Sequence, residues 1–398
     1  MDSSRAVIFK YYLYRATAST GFILPVYILF LRSRGLSFTQ IALLEALFVA
    51  TRTVSEIPTG YIGDRIGWRN SLFLSPLFIL VSFVGFGFAH SFPAFIALYL
   101  MWGIGRRFRS GSSDAWLYDT LANRLAADTF TRIHGHGTAV YLLVVASTAI
   151  VGGFLGSVGL YYPFVAATGV LVANLLVLSR LPKNPQYADK TDQKPVSVAQ
   201  SISTIRIELT RPTLRSFVLY IALLFAVIEA VAIFVQPIST DLGIQISRLG
   251  FLYAGFRFLS AAASYYIELI RDFLGISGWL YTIPFVLGGF YVGAWFLPLI
   301  ILPAFFLMDA TVRITRSFAA QYINDNIERV NRATLLSAAS MMYAAVQIPF
   351  IAAAGSLADT YTRFGAVAIF GAILIGGAVF LFIIETPITT EGTKQSVD

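Results

Sequence analysis

The stretch FGAVAIFGAILIGGAVFLFII, Phe364–Ile384, lies between Arg363 and Glu385 without one ionisable side chain. A helix rises about 1.5 Å per residue, so about twenty such residues cross the hydrocarbon core of a bilayer. The apolar residues do not alternate with polar ones, which excludes a strand of a membrane barrel. Lipid offers no partner to a backbone N–H or C=O, so a segment of this kind satisfies its own hydrogen bonds as a helix.

Segments of the same character are expected at Phe9–Leu31, Gln40–Gly63, Ser71–Ala89, Phe92–Leu121, Thr138–Ser157, Leu160–Leu181, Phe217–Ile238, Leu249–Ile270, Trp279–Leu297, Pro298–Asn324 and Leu335–Ala358, with Phe364–Glu385 the last. The sequence therefore predicts an all-α membrane protein of about twelve transmembrane helices. Composition agrees: 57% of the 398 residues are hydrophobic and 13% charged, against roughly a quarter charged in soluble domains. Met1–Lys10 is polar and runs straight into the first apolar segment with no small-residue cleavage site, so that segment reads as a span and not as a signal peptide.

One long polar segment, from Pro182 to about Arg215, interrupts the pattern. It divides the chain into a first bundle at 1–181, a linker at 182–215 and a second bundle with a short tail at 216–398, six spans to each bundle. Within the linker, Ser197–Leu209 has the spacing of an amphipathic surface helix. The two bundles look like repeats at an offset of about 205, which sets Arg52 near Arg257, Gly60–Asp64 near Ser264–Glu268 and Arg109 near Arg316. Many transporters are built from such repeated halves.

The net charge is +8, but the basic residues are spread through loops and helices and form no stripe for nucleic acid. They report topology. With the N-terminus inside, about seventeen Lys and Arg fall on the inner side and about four outside, so both termini are expected in the cytoplasm. The chain has no cysteine, which excludes disulfides, thiolate metal sites and a cysteine nucleophile. His134 and His136 alone do not make a metal site, so no metal and no cofactor is expected. No Gly-x-x-x-x-Gly-Lys-Ser/Thr loop is present to bind ATP phosphates. The spans hold no histidine and no nucleophile-plus-base spacing, which argues against an enzyme.

A charge near the bilayer centre costs at least a few kcal/mol, so such residues face the bundle interior or water. Arg106, Arg109, Arg313 and Arg316 lie where snorkelling to a helix end explains them. Glu45, Arg52, Glu56, Arg107, Asp114, Glu229 and Arg257 do not fit that reading and are the candidates for substrate or coupling-ion contacts. At about 100° per residue, Glu45, Arg52 and Glu56 share one helix face, with Arg52 in reach of Glu56. Arg107 and Asp114, Glu229 and Gln236, and Arg257 and Ser264 repeat the seven-residue spacing. The alternative for each is a salt-bridge ladder that locks helices together. Tyr11, Tyr12 and Tyr14 read as an interfacial aromatic belt.

The segment Gly60-Tyr-Ile-Gly-Asp64-Arg65-Ile-Gly67-Trp-Arg69 follows the second span and resembles the signature loop of the major facilitator superfamily, with Trp68 in place of the first residue of a basic pair. Arg107-x-x-Ser110-Gly111 resembles that family's second motif, with Ser110 where glutamine is usual. Gly35–Ile41, Glu56–Gly60 and Arg332–Ser337 look like a prokaryotic branch grouped with drug-efflux pumps. The fifth span carries Gly152-Gly153 but lacks the Gly-Pro of the antiporter motif.

The resemblance implies two pseudo-symmetric six-helix bundles, alternating access, and a cytoplasmic gate at Gly60, Asp64, Arg65, Gly67 and Arg69, with Asp119 a partner for one of the arginines. It links Arg107 to proton transfer. It further implies proton-coupled efflux of small amphipathic molecules by a monomer in the plasma membrane. Eight span arginines against five acids leave a second reading open, the import or exchange of an anionic metabolite.

Overall fold

The computed structural model describes residues 3–124, 129–182, 212–326 and 332–384. The expected surface helix at Ser197–Leu209 lies outside the described residues. Everything regular among them is helical. The helices are α1 Ser3–Thr17, α2 Tyr27–Ser33, α3 Phe38–Val54, α4 Glu56–Ile66, α5 Trp68–Phe88, α6 Phe92–Arg109, α7 Ser112–Arg124, α8 Phe130–Val158 and α9 Tyr162–Ser179. They continue as α10 Pro212–Ala232, α11 Val235–Asp241, α12 Ile246–Tyr265, α13 Ile267–Phe296, α14 Ile301–Asn326, α15 Arg332–Thr360 and α16 Arg363–Ile384.

Among the described residues, eight helices are long and apolar enough to cross a membrane, and α1 with α2 adds a ninth as a pair bent by 42°. The helices α3, α6 and α12 fall short of that test, and each carries arginine. Their places agree with the second, fourth and eighth expected spans, so the pattern is that of the twelve-span all-α membrane fold.

The chain forms two compact units. The first comprises Met1–Leu36, Leu47–Pro195 and Ile244–Ala254; the second comprises Ser37–Ala46, Val196–Gly243 and Gly255–Asp398. Each unit thus takes in a short helical start from the other half of the sequence.

In the first unit α5 packs between α6 and α9, and α1 packs on α8. Phe30, Phe83, Phe86, Tyr99, Trp102 and Phe164 form one ring-on-ring cluster, with Phe30 and Phe164 centroids 4.7 Å apart. Tyr11 and Tyr14 are not a membrane belt: they are sealed, with Tyr11 stacked on Trp116 in a second cluster that includes Leu72 and Leu178. Their helix turns that face inward, where ring burial outweighs an interfacial position. Asn174 anchors the same region by donating to the Tyr14 carbonyl and the Thr17 hydroxyl.

The first span bends at Gly21–Ile23, a single 3-10 turn. The bend is held by the glycines of α8. A Cβ at Gly152 would overlap the Phe22 carbonyl, and one at Gly156 would overlap Val26. Gly153 lies against the backbone of Ser247 and Gly250 at the start of α12, which is why 244–254 counts with the first unit. Without a hydrophobic drive between helices in lipid, such close backbone approach is a main source of packing energy.

In the second unit α10 packs on α15 and α13 packs on α16. Trp279 donates its indole N–H to Thr315 at 2.9 Å, and Phe217 stacks on Tyr322 at 4.1 Å. The start of α3 is held here by Asp359. Its carboxylate accepts the N–H groups of Phe38 at 3.1 Å and Thr39 at 2.8 Å and the Thr39 hydroxyl at 2.7 Å. Those are the orphan donors of a helix N-terminus, where a carboxylate also meets the positive end of the helix dipole. Arg363 lies over the Phe38 ring and pairs with Asp241 at 2.6 Å.

The same succession occurs in each half. A short helix after a bend, α2 or α11, ends one residue from a glycine at φ 84°, Gly35 or Gly243. A span helix follows, α3 or α12, then a break at Ser55 or Tyr266, a short helix, and a glycine with positive φ and extended ψ. Those glycines are Gly67 (φ 87°, ψ 143°) and Gly275 (φ 68°, ψ 168°).

Candidate functional site

The expected polar stripes rest on unbroken helices, and in three of the four spans that carry them a break falls within the stripe. The second breaks at Ser55, the fourth at Ser110–Gly111, where Gly111 has φ 80°, and the seventh at Ile233–Phe234. A break changes the rotation between the two sides, so a seven-residue spacing no longer means a shared face.

Glu56 therefore does not pair along its own span with Arg52. It forms an ion pair with Arg107 of α6. Arg52 is exposed and lies over the Phe48 ring at 5.6 Å. Asp114, beyond the break in the fourth span, turns away from Arg107 and meets His134 at 3.3 Å. His134 in turn stacks on Phe130. Glu45 belongs to the short segment that counts with the second unit, while Arg52 and Glu56 belong to the first.

Arg106 and Arg109 are not snorkelling. Around the Tyr141 ring of α8 stand Arg15 at 5.2 Å and Arg109 at 5.8 Å. Arg15 donates to the Gly137 carbonyl and the Thr138 hydroxyl, both at 3.3 Å, and Arg109 donates to the Ala18 carbonyl. Arg106 shares a side-chain hydrogen bond with Tyr141 and feels the charges of Arg109 and Arg52. Its Nη1 is sealed from solvent and has no hydrogen-bond partner.

In the second unit Arg257 does not stand alone on its span. Its Nη1 donates to both oxygens of Asp309 at 2.8 Å, and Arg313 approaches the same carboxylate at 3.7 Å. Ser264 bonds back to the Ser260 carbonyl of its own helix. Glu229 is exposed, on a helix whose apolar stretch is 72% buried, whereas Gln236 beyond the break is buried. The two do not form one stripe, and Glu229 is not the buried carboxyl that its mid-span place suggests.

At the signature loop, Gly67 makes the tight turn as expected. Gly60 has open space around it, and the close approach falls one turn later, where Gly63 meets Trp68 and Ser71. Among the described residues Arg69 reaches no carboxylate. It donates to the carbonyls of Leu178 at 3.1 Å and Ser179 at 2.6 Å, at the negative end of α9. Arg65 lies over the Tyr61 ring at 4.5 Å. Asp64 caps no helix among the described residues; it is exposed, and the desolvation left by its neighbours raises its carboxyl above the ordinary value of 3.8. Asp119 sits on α7, where it makes further interactions of its own.

The sequence reading missed Asp309 as the partner of Arg257, the arginines around Tyr141, and Asp359. The first two needed knowledge of which helices face each other. The third had no local signal, because the helix it caps lies 320 residues away in sequence.

The family model of the Major Facilitator Superfamily matches residues 15–349. The chain is 25% identical over 239 residues to an uncharacterised MFS-type transporter, YxaM of Bacillus subtilis strain 168. That match spans 59% of the chain and 58% of the relative's length. Among solved structures, the nucleoside transporter NupG superposes with a TM-score of 0.81 at 11% identity, covering 96% of this chain and 99% of that one. A D-xylose–proton symporter superposes at 0.68 and 14% identity, covering 97% and 98%. At such identities these likenesses speak to the fold alone. The twelve-span helical pattern and a family match over most of the chain carry one conclusion: the protein belongs to the Major Facilitator Superfamily and is a multi-pass membrane protein.

Proposed function

We propose that the chain is a proton-coupled secondary transporter of a small amphipathic molecule, working by alternating access as a monomer in the plasma membrane with both termini in the cytoplasm. The observation that carries this is a carboxylate–arginine pair within the spans of each unit: Glu56 with Arg107, and Asp309 with Arg257 and Arg313. A carboxylate holds an arginine only while ionised. Taking up a proton releases the arginine, and that is the elementary step by which a proton gradient does work on a helix bundle. Glu229, exposed on a mostly buried helix, is a further place for a coupling proton or a cargo contact. Export as the direction rests on the sequence resemblance to efflux pumps.

A second reading, import or exchange of an anionic metabolite, is favoured by the arginines gathered at Tyr141. Both readings share one test. Proteoliposomes holding a pH-sensitive dye are screened with amphipathic cations and organic anions under an imposed pH gradient. A cargo of the wild type should move protons across the membrane. Glu56→Gln should keep cargo exchange and lose at least about tenfold of gradient-driven flux, the loss expected when an essential proton carrier is removed. Gradient-driven flux equal to wild type in that variant would remove Glu56 from the coupling step.

A further inference from the structure

We propose that Arg106, with Arg15, Arg109 and Tyr141, forms a binding site for the anionic group of the cargo, a carboxylate or a phosphate. The inference rests on the transport reading and assigns the cargo's charge within it.

The argument starts from an imbalance. Arg107 has Glu56, and Arg257 has Asp309. Among the described residues, no carboxylate pairs with Arg15, Arg106 or Arg109. Arg15 spends its donors on the Gly137 carbonyl and the Thr138 hydroxyl, and Arg109 one of its own on the Ala18 carbonyl. Asp114 acts on Tyr14, as Arg15 and Arg109 do, and is itself in contact with His134.

Like charges brought together in a poorly polar interior repel, and an arginine cannot relieve the repulsion by losing its proton. Here three helices bring them together. Arg15 comes from α1, Arg106 and Arg109 from α6, and the ring they surround from α8. The Nη1 of Arg106 is sealed and donates to nothing, although a guanidinium almost never leaves a buried donor unmet.

An anion resolves both costs at once. The planar fork of Arg106 suits two oxygens of a carboxylate or phosphate, and the Tyr141 hydroxyl that already bonds it can orient them. Arginine excess around a phenol ring disfavours a cationic cargo at this place.

The test reads binding without transport. Purified protein in discs of neutral phosphatidylcholine is unfolded by heat with sodium benzoate, with benzamide as the uncharged isostere, and with inorganic phosphate. Benzoate or phosphate should raise the midpoint in a saturable way, and benzamide should not. Arg106→Gln should weaken the anion's apparent affinity by about tenfold or more. It should not lower the midpoint of the unliganded protein, because it removes a buried charge that no carboxylate meets. Arg15→Gln gives a second variant with the same expected loss of affinity.

The proposal is overturned if neither anion shifts the wild type, if benzamide matches benzoate, or if Arg106→Gln responds as wild type does. It is equally overturned as a cargo site if phosphatidylglycerol in the discs abolishes the shift, since a lipid headgroup would then be the occupant. No gradient enters the measurement, so its failure removes the anion site and leaves the flux test of transport standing.

Discussion

At the scale of single residues, Asp64 is the sharpest case. It occupies the acidic position of the signature loop, yet among the described residues nothing cationic meets it, and although it is exposed, desolvation by its neighbours holds its carboxyl above the ordinary value. A raised carboxyl pKa means that the folded chain takes up this proton more readily than the unfolded one. The penalty is therefore present above the raised value and fades as the pH falls through it. Asp64→Asn should leave the unfolding midpoint at pH 7 unchanged or slightly higher. The difference from wild type should close as the pH is lowered toward the ordinary carboxylate range. A clear drop of the midpoint in Asp64→Asn at pH 7 would show that the ionised carboxylate has a stabilising partner in this fold. Arg69 tells a related story: in sequence it reads as a partner for an acid, and in space it closes the end of α9 through two carbonyls.

At the scale of elements, the breaks decide what the sequence could and could not reveal. The spans themselves were legible, because an apolar run of membrane length has one solution in lipid. The partners were not. Arg52 and Glu56 sit on one face of an ideal helix, but Ser55 ends α3 and Glu56 begins α4, so Glu56 turns to Arg107 instead. Pro58 announces that break, because it has no N–H for the Val54 carbonyl that ends α3. Gly111 announces the second, and a reading that gave both residues full weight would have separated Arg52 from Glu56 and Arg107 from Asp114. The repeat was legible in part: Gly67 and Gly275 hold matching turns in the two halves. Their φ values admit little besides glycine, so Gly67→Ala and Gly275→Ala should each cost about 1–3 kcal/mol of stability. Gly60→Ala, with open space around the position, should be close to neutral. Thermal or denaturant unfolding of the three purified variants separates these outcomes, and a Gly60→Ala loss as large as that of Gly67→Ala would contradict the assignment of the turn.

At the scale of the whole molecule, each unit carries an in-span carboxylate–arginine pair, and the first carries a surplus of arginine as well. The proposed coupling follows from that: protonation of an acid in either unit changes which arginines are held, and so biases a two-state bundle. The absence of cysteine makes this directly measurable, since introduced cysteines are the only sites a spin label can take. Labels at Asn70→Cys and Asp272→Cys sit close to the matching turns at Gly67 and Gly275, the first after its glycine and the second before it. The decisive measurement is the distribution of distances between those two labels in lipid discs at pH 5 and at pH 8. Proton-coupled alternating access predicts two distance populations whose ratio changes with pH, and a ratio that no longer responds in Glu56→Gln. A single distance, identical at both pH values, would contradict the account.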